Sequence, residues 1–481
     1  MGIYVGTGAL FKIDVLLCAS VCLTAFPVLA GPTSGSVTNY GAVGDGVTND
    51  TAAFNLCLTN NTICWVDPAK KYVAGDVQIK NGNRLIGLGV VQYGDQTAST
   101  TLARPVLIGA SPSTNVLNVS GVSLGAAVQG VFIDCQNANV NGISGGSFQL
   151  TIEDTTVVGC AAGLGDITSS AYTGGAHILN STFGNNRRGI SNLVDSFVVN
   201  VDLANNTGDG VYLGSGANAN TIVNTRFEWN HGYGMQSFGG NSNNSIANAL
   251  FDRNYGAGLR LDGTIGMSIS NSTFYRNGRN NVAADQNAQI FLSGARNISI
   301  TGGQSLVGLD DGGTGTYTPA YVFSYDPNPS SNVTISGFVT SGLFNASTNP
   351  SGSFTTAIVQ GNEPTAGYNV SGVNDLPDTT RAATGIAAYA SGGQSNATLL
   401  MASLNVVSTA SSVNASVKIV PCVPGRQQTV ANLAANSIQV FGSASDTING
   451  AAIGTGIAQA AGKIATYFCT GAGNWSRLLS N

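Results

Sequence analysis

Five segments of the chain repeat one pattern of apolar and polar positions: Ile178–Phe183, Val198–Leu203, Ile222–Phe227, Ile246–Phe251 and Ile269–Phe274. Each opens on an aliphatic residue and closes on one large apolar anchor. The anchors are Phe183, Leu203, Phe227, Phe251 and Phe274, so the steps are 20, 24, 24 and 23 residues. Two asparagine columns keep the same register. Asn180, Asn200, Asn224, Asn248 and Asn271 stand three residues before the anchor; Asn186, Asn206, Asn230, Asn254 and Asn277 stand three after it. A period of this length with short apolar runs predicts one solenoid coil per repeat. Leucines at the spacing of a leucine-rich repeat are missing. Stacked parallel strands, about 4.8 Å apart, account for the pattern. Asparagine tolerates a left-handed turn, and its amide can bond to the same amide one coil away. Both columns are therefore expected to be structural, with Asn224 and Asn248 pointing into neighbouring turns.

The pattern continues more weakly in both directions, at Val128–Cys135, Ile152–Cys160, Ile298–Gly303 and Val333–Phe338. An open solenoid end exposes backbone and apolar surface. A short helix over Thr51–Leu58, capped by Asn49 or Asp50, is placed to close the N-terminal end. The columns stop before Asp375-Leu376-Pro377-Asp378, and the remainder holds the β-rich runs Val413–Val420, Ser437–Phe441 and Ile464–Cys469. The expected division is an export signal over 1–30, a solenoid over 31–375 and a small β module over 376–481.

Composition narrows the function classes. Only 9% of the 481 residues are charged, 64 are glycine and the net charge is −5. No basic run is present, which argues against nucleic acid as a partner. The apolar stretch Val15–Leu29 follows Lys12 and ends at Val28-Leu29-Ala30, the form of a secretory signal, and it is too short for a confident membrane span. Asp14 and the single lysine leave a non-exported start open. Cys18 and Cys22 would leave with the signal. The other six pair locally as Cys57 with Cys64, Cys135 with Cys160 and Cys422 with Cys469, disulfides in an exported chain or buried thiols otherwise. With only His177 and His231 and no paired cysteine motif, no metal site of the Cys/His kind is expected.

The run Asn39-Tyr40-Gly41-Ala42-Val43-Gly44-Asp45-Gly46-Val47-Thr48-Asn49-Asp50-Thr51-Ala52-Ala53-Phe54 closely resembles the opening motif of the pectate-lyase-3 superfamily. Pro68-Ala69-Lys70-Lys71-Tyr72 and Leu85-Ile86-Gly87-Leu88-Gly89 are similar to its next two signatures. That superfamily includes rhamnogalacturonase-like and epimerase-like proteins and many phage tailspikes. The resemblance, over roughly residues 36–370, implies an all-β, right-handed parallel β-helix that lies along a polysaccharide. The motif builds cap and first coils and says little of chemistry. Asn436–Phe441, Asp446–Gly450, Tyr467–Cys469 and Gly473–Trp475 together resemble a small C-terminal module of phage and prophage tail proteins, which implies oligomerisation or surface attachment.

With the anchor inward, the residues on either side turn outward. The position after it reads Gly184, Ala204, Glu228, Asp252, Tyr275; the position before it reads Thr182, Asp202, Arg226, Leu250, Thr273. Trp229, Arg253 and Arg276 follow at the strand ends, with His231 on the next turn. In a chain poor in charge, this is the one concentration of acids, arginines and rings. Glycoside hydrolysis needs two carboxyls, about 5–5.5 Å apart for retention or about 6.5–9.5 Å for inversion. Glu228 and Asp252 suit the first spacing, and Asp202 with Glu228 the second. Arg226, Trp229, His231, Arg253, Tyr275 and Arg276 are the candidate substrate contacts, with Trp229 or Tyr275 stacking on a sugar face. The alternative is a solvated charge ladder. Asn206-Thr207-Gly208-Asp209-Gly210 resembles an acidic motif of polygalacturonases and Asp310-Asp311 their paired aspartates, but the rest of that set is missing. Two readings result: a secreted or periplasmic glycoside hydrolase or polysaccharide lyase, and a non-catalytic glycan-binding, tailspike-like protein for which a homotrimer is the expected state. No cofactor is expected, apart from calcium should the chemistry be elimination.

Overall fold

A computed structural model describes residues 33–89, 104–306 apart from 138, 281 and 282, short stretches between 308 and 375, and 382–480 apart from 472. The signal-like segment 1–30, Asp310, Asp311 and Leu376 lie outside the described residues.

Each coil of the solenoid gives one strand to each of three parallel sheets, with fourteen, twelve and ten strands among the described residues. One full coil runs Thr221–Val223 in the first sheet, Arg226–Glu228 in the second and Met235–Phe238 in the third. The next runs Ser245–Ala247, Leu250–Asp252 and Leu259–Asp262. Sequence period becomes structural register: Leu203, Phe227, Phe251 and Phe274 face one another on successive strands, each fully buried. The rings of Phe227, Phe251 and Phe274 stack with centroids 4.4 and 4.7 Å apart. Three-residue strands have almost no stability alone, so the continuous apolar core holds the coils together.

The two asparagine columns have different roles. The column after the anchor is a buried ladder. Asn206, Asn230 and Asn254 each donate through N–H and Nδ2 to the Oδ1 of the next asparagine, with the Nδ2 bonds at 2.8, 2.9 and 2.7 Å. Nδ2 of each also donates to the carbonyl of the preceding coil's anchor, as Asn254 does to Phe227 at 2.8 Å. Gln289 ends the ladder by accepting from Asn277 Nδ2 at 2.7 Å. A second, shorter ladder joins Asn220 to Asn244.

The column before the anchor departs from expectation. Asn180, Asn200, Asn224, Asn248 and Asn271 are exposed, at φ of 47, 56, 51, 53 and 48°. Asn224 and Asn248 do not point into a buried amide stack. They turn the corner between the first and second sheets, where the left-handed conformation selects asparagine. The helix spans Thr51–Asn60 and packs Ala53, Phe54, Cys57 and Leu58 against the first coils. Its first N–H group, on Thr51, is met by Asn49 Oδ1 at 3.0 Å. Asp50 instead accepts from Val43 and Gly44, pinning the glycine-rich loop of the opening motif.

All three expected disulfides are present: Cys57–Cys64, Cys135–Cys160 and Cys422–Cys469. The C-terminal residues form a six-stranded and a four-stranded sheet around a core of their own that includes Leu400, Val430, Tyr467 and Trp475.

Replacing Asn254 by Leu leaves a backbone carbonyl and two neighbouring amides without partners, at about 1–3 kcal/mol per stranded group. The expected loss in chemical denaturation is on the order of 3 kcal/mol. Asn248→Gly, which keeps the corner's left-handed conformation, should be within about 1 kcal/mol of wild type. Equal effects of the two substitutions would reject the ladder.

Candidate functional site

The corner between the second and third sheets repeats the same turn, with Asn185 and Asn205 at φ of 54 and 56°. In the next three coils the equivalent residues are Trp229, Arg253 and Arg276, at 55, 56 and 57°. A bulky side chain in this conformation costs roughly 1–2 kcal/mol. The strained coils are the ones that carry Glu228, Asp252 and Tyr275 on their outer faces.

The expected register holds. Ala204, Glu228, Asp252 and Tyr275 are direct neighbours on successive strands, and Asp202 lies beside Arg226. Their surroundings differ from expectation. Asp202, Glu228 and Asp252 face outward but are only 5, 5 and 4% exposed. Glu228 is paired with Arg226. Asp252 is held by Arg253 and by a bidentate Arg276, whose Nε reaches Oδ1 at 3.1 Å and Nη2 reaches Oδ2 at 2.9 Å. The guanidiniums in turn lie on rings. Arg253 and Arg279 each sit 4.8 Å from the centre of Trp229, and Arg276 sits 3.7 Å from that of Tyr275. Trp229 and Tyr275 therefore present rings already in contact with guanidinium. His231 is exposed and its ring lies 4.5 Å from Tyr255. Arg226 has 43% of its side chain exposed, against 13% for Arg253 and 6% for Arg276. It and Asp202 line a groove of about 430 Å³ that extends across the neighbouring coils to Asp154.

A second polar cluster, on the third sheet, was not singled out by sequence beyond Asp209. Tyr233 Oη donates to Asp285 Oδ2 at 2.5 Å and accepts from Arg260 Nη1 at 2.7 Å. Arg260 also meets Asp262 and Asp285, each at 3.1 Å. Asp209 accepts from the Tyr233 N–H at 3.0 Å and lies 3.9 Å from Arg188. The third-sheet strands open on Gly210-Val211, Gly234-Met235 and Gly258-Leu259. That recurrence could have aligned Tyr212, Gln236 and Arg260 in one outward column, and it does so in the structure.

The family model for the right-handed beta helix region matches residues 192–337. The fold is a right-handed parallel β-helix. Similar solved structures include the A-module of the Azotobacter vinelandii mannuronan C-5 epimerase AlgE4, 17% identical over 69% of this chain and 95% of that one, TM-score 0.47. The Streptococcus pneumoniae surface adhesin PfbA is 12% identical over 93% and 99%, TM-score 0.44. The enzymatically active domain of bacteriophage CBA120 tailspike protein 2 is 15% identical over 76% and 55%, TM-score 0.44. No residue role is carried over from these proteins.

Among the described residues, no three His, Cys, Asp or Glu side chains gather as a metal site, and no helix is long and apolar enough to cross a membrane. The second-sheet acids fit a divalent cation poorly, because Glu228 and Asp252 already have guanidinium partners. Burial raises the Asp252 carboxyl above its ordinary value, against the pull of Arg276 and Arg253. Geometry opposes that rise, since both Asp252 oxygens accept charge-assisted bonds from guanidinium groups, which stabilise the ionised form. Asp154 is raised by burial and by Glu153. Asp209 is raised by burial, against its bond from Tyr233 and the charges of Arg188 and Arg260.

The Asp209 shift has a defined sign. Between the ordinary carboxyl value and the raised native one, the folded protein binds a proton that the unfolded chain does not, so this group's contribution to stability falls as pH rises through that window. The melting temperature of wild type relative to Asp209→Asn should be highest near pH 4 and decline towards pH 7. A rise over the same range would mean that Arg188 and Arg260 outweigh burial.

Proposed function

We propose that this protein binds and cleaves a polysaccharide outside the cytoplasm, with the second-sheet cluster as its reactive centre. The observation that carries the reading is the in-register pair Glu228 and Asp252 on adjacent strands, in a chain of which only 9% of residues are charged. Strand spacing of about 4.8 Å brings the two carboxyls near the roughly 5–5.5 Å used by retaining glycoside hydrolases. Three disulfides support an oxidising compartment.

Roles follow from the partners. Asp252, clamped on both oxygens, is the ionised group and acts as nucleophile or as stabiliser of positive charge at the anomeric carbon. Glu228 has the one partner that reaches solvent, Arg226. When Arg226 swings towards the groove, Glu228 can hold a proton and deliver it to the leaving oxygen. His231 and Tyr255 offer the accessible rings of the corner. Asp202 replaces Asp252 as Glu228's partner should the reaction invert. If Arg226 stays in place, substrate does not reach either carboxyl. The burial of the pair therefore favours a second reading, a glycan-binding or adhesive β-helix, with a homotrimer as its expected assembly.

Incubation with a panel of polysaccharides separates the readings. New reducing ends identify a hydrolase, absorbance from an unsaturated uronide identifies a lyase, and retention without cleavage identifies a binder. For a hydrolase, Glu228→Gln and Asp252→Asn should each lower turnover at least about 10²-fold, with retained anomeric configuration by NMR. Wild-type turnover in both, with loss in Asp209→Asn, would move the reaction to the third sheet; inverted product would select Asp202.

A further inference from the structure

Away from both clusters, at the capped end of the solenoid, the structure has a groove of about 460 Å³ that adjoins one of about 340 Å³; the two share Thr62, Gly82 and Asn83. Among the described residues, the charged lining is Arg84 in the larger groove and Lys80 in the smaller. Both are exposed. In a chain with 24 acidic and 19 basic side chains, two adjoining grooves whose described lining holds two cations and no acid are a local departure from the whole. Glu153, on the same sheet, is outside the lining and accepts from Gln129 Nε2 at 2.6 Å.

The backbone that carries the two cations is pinned. Lys80 and Arg84 flank a turn in which the Lys80 N–H donates to Asn83 Oδ1 at 2.8 Å and the Gly82 N–H donates to Gly125 O at 2.6 Å. Asn81 Oδ1 accepts from Ser123 and Leu124 of the next coil at 2.7 and 3.0 Å. Asn83 Nδ2 ties the same turn to the end of the capping helix, at Leu58 O and Asn61 O. Arg84 then enters the first sheet beside Ile63 and Ala127. Gly125, Ala126 and Ala127 keep the floor low, and Leu124, 75% exposed, forms an apolar lip.

We propose that this groove is a second saccharide-binding site, which takes an acidic sugar unit through its carboxylate or sulfate group. Arg84 and Lys80 bind the anion, and the sugar's apolar face lies against Leu124. A guanidinium and an ammonium fixed on a pinned turn bind an oxyanion with little further loss of backbone entropy. Two cations are too few for a nucleic-acid backbone, which needs an extended basic stripe. The proposal rests on the glycan reading above. It places a holding site several coils from the reactive one, so that one long chain could engage both.

The test is binding of the full chain to three immobilised polymers: polygalacturonate as the carboxylated probe, dextran sulfate as the sulfated probe and dextran as the neutral one. Wild type should retain at least one anionic polymer, and which one distinguishes carboxylate from sulfate. The double substitution Lys80→Ala, Arg84→Ala should weaken that binding about tenfold or more and flatten its salt dependence, with dextran binding unchanged. Lys80→Arg, Arg84→Lys should restore most of it, which separates a charge role from a folding defect. Unchanged anionic binding in the alanine variant, or an equal loss on dextran, overturns the site. A wild-type protein that cleaves neutral polymers and binds neither anionic one overturns the site and leaves the reactive centre standing.

Discussion

Every coil of this solenoid depends on backbone hydrogen bonds to the coils above and below it. A three-residue strand such as Arg226–Glu228 cannot satisfy its own N–H and C=O groups. They are paired across to Asp202–Ala204 on one side and Leu250–Asp252 on the other. The same bonds continue round the corner, where Trp229 N–H donates to Asp252 O and Arg253 N–H to Tyr275 O, each at 3.0 Å. This pairing fixes register, and register turns any residue type that recurs once per coil into a column. Phenylalanines become a stacked core, asparagines become a ladder, and acids become neighbours one strand apart. The shorter step of 20 residues between Phe183 and Leu203 leaves the column intact, because the length is taken up beyond the second sheet, where the following corners differ.

The corners carry the fold's tolerance and its exceptions. Asparagine fills the left-handed position between the first and second sheets in five successive coils, since its short amide lowers the cost of that conformation. Between the second and third sheets the same position changes to Trp229, Arg253 and Arg276. The strain persists because each side chain is held from several sides: Arg276 by both oxygens of Asp252 and by Tyr275, Arg253 by Asp252 and Trp229. Strain of this kind survives where its surroundings over-determine the conformation, and such places are commonly functional.

Much of the architecture was legible because periodicity reports register directly. The anchors, the buried ladder, the cap and the three cysteine pairs all followed from spacing or from the opening motif. What spacing does not report is the direction in which a polar side chain settles. Asn180 and Asn186 recur with equal regularity, yet one column is exposed at a corner and the other is buried. The difference lies in backbone φ and in the room left beside Phe183, neither of which is written in residue identity. Alternation likewise placed Glu228 and Asp252 on the outer face and missed their burial. The acids are packed against arginines of the same and the following corner: Arg226 beside Glu228, and Arg253 and Arg276 on Asp252. The Tyr233–Arg260–Asp285 cluster was missed because Asp285 enters from a short helical turn, Ala284–Gln286, outside the repeat.

The second-sheet cluster joins two requirements that oppose each other. Carboxylates that do chemistry on a glycan need a surface, while carboxylates shielded from water must be paired, because an unpaired buried charge costs several kcal/mol. Arginine reconciles them better than lysine would. Its planar fork can hold both oxygens of Asp252 and still lay a face on an aromatic ring. The result is a layered arrangement of acid, guanidinium and ring, in which Asp252 is bonded on both oxygens and Glu228 pairs with the half-exposed Arg226. The charge on Glu228 also raises the Asp252 carboxyl, so the two carboxyls are electrostatically coupled. Arg226 belongs both to the pair with Glu228 and to the groove beside Asp202, so one guanidinium links the acid ladder to the open face of the second sheet.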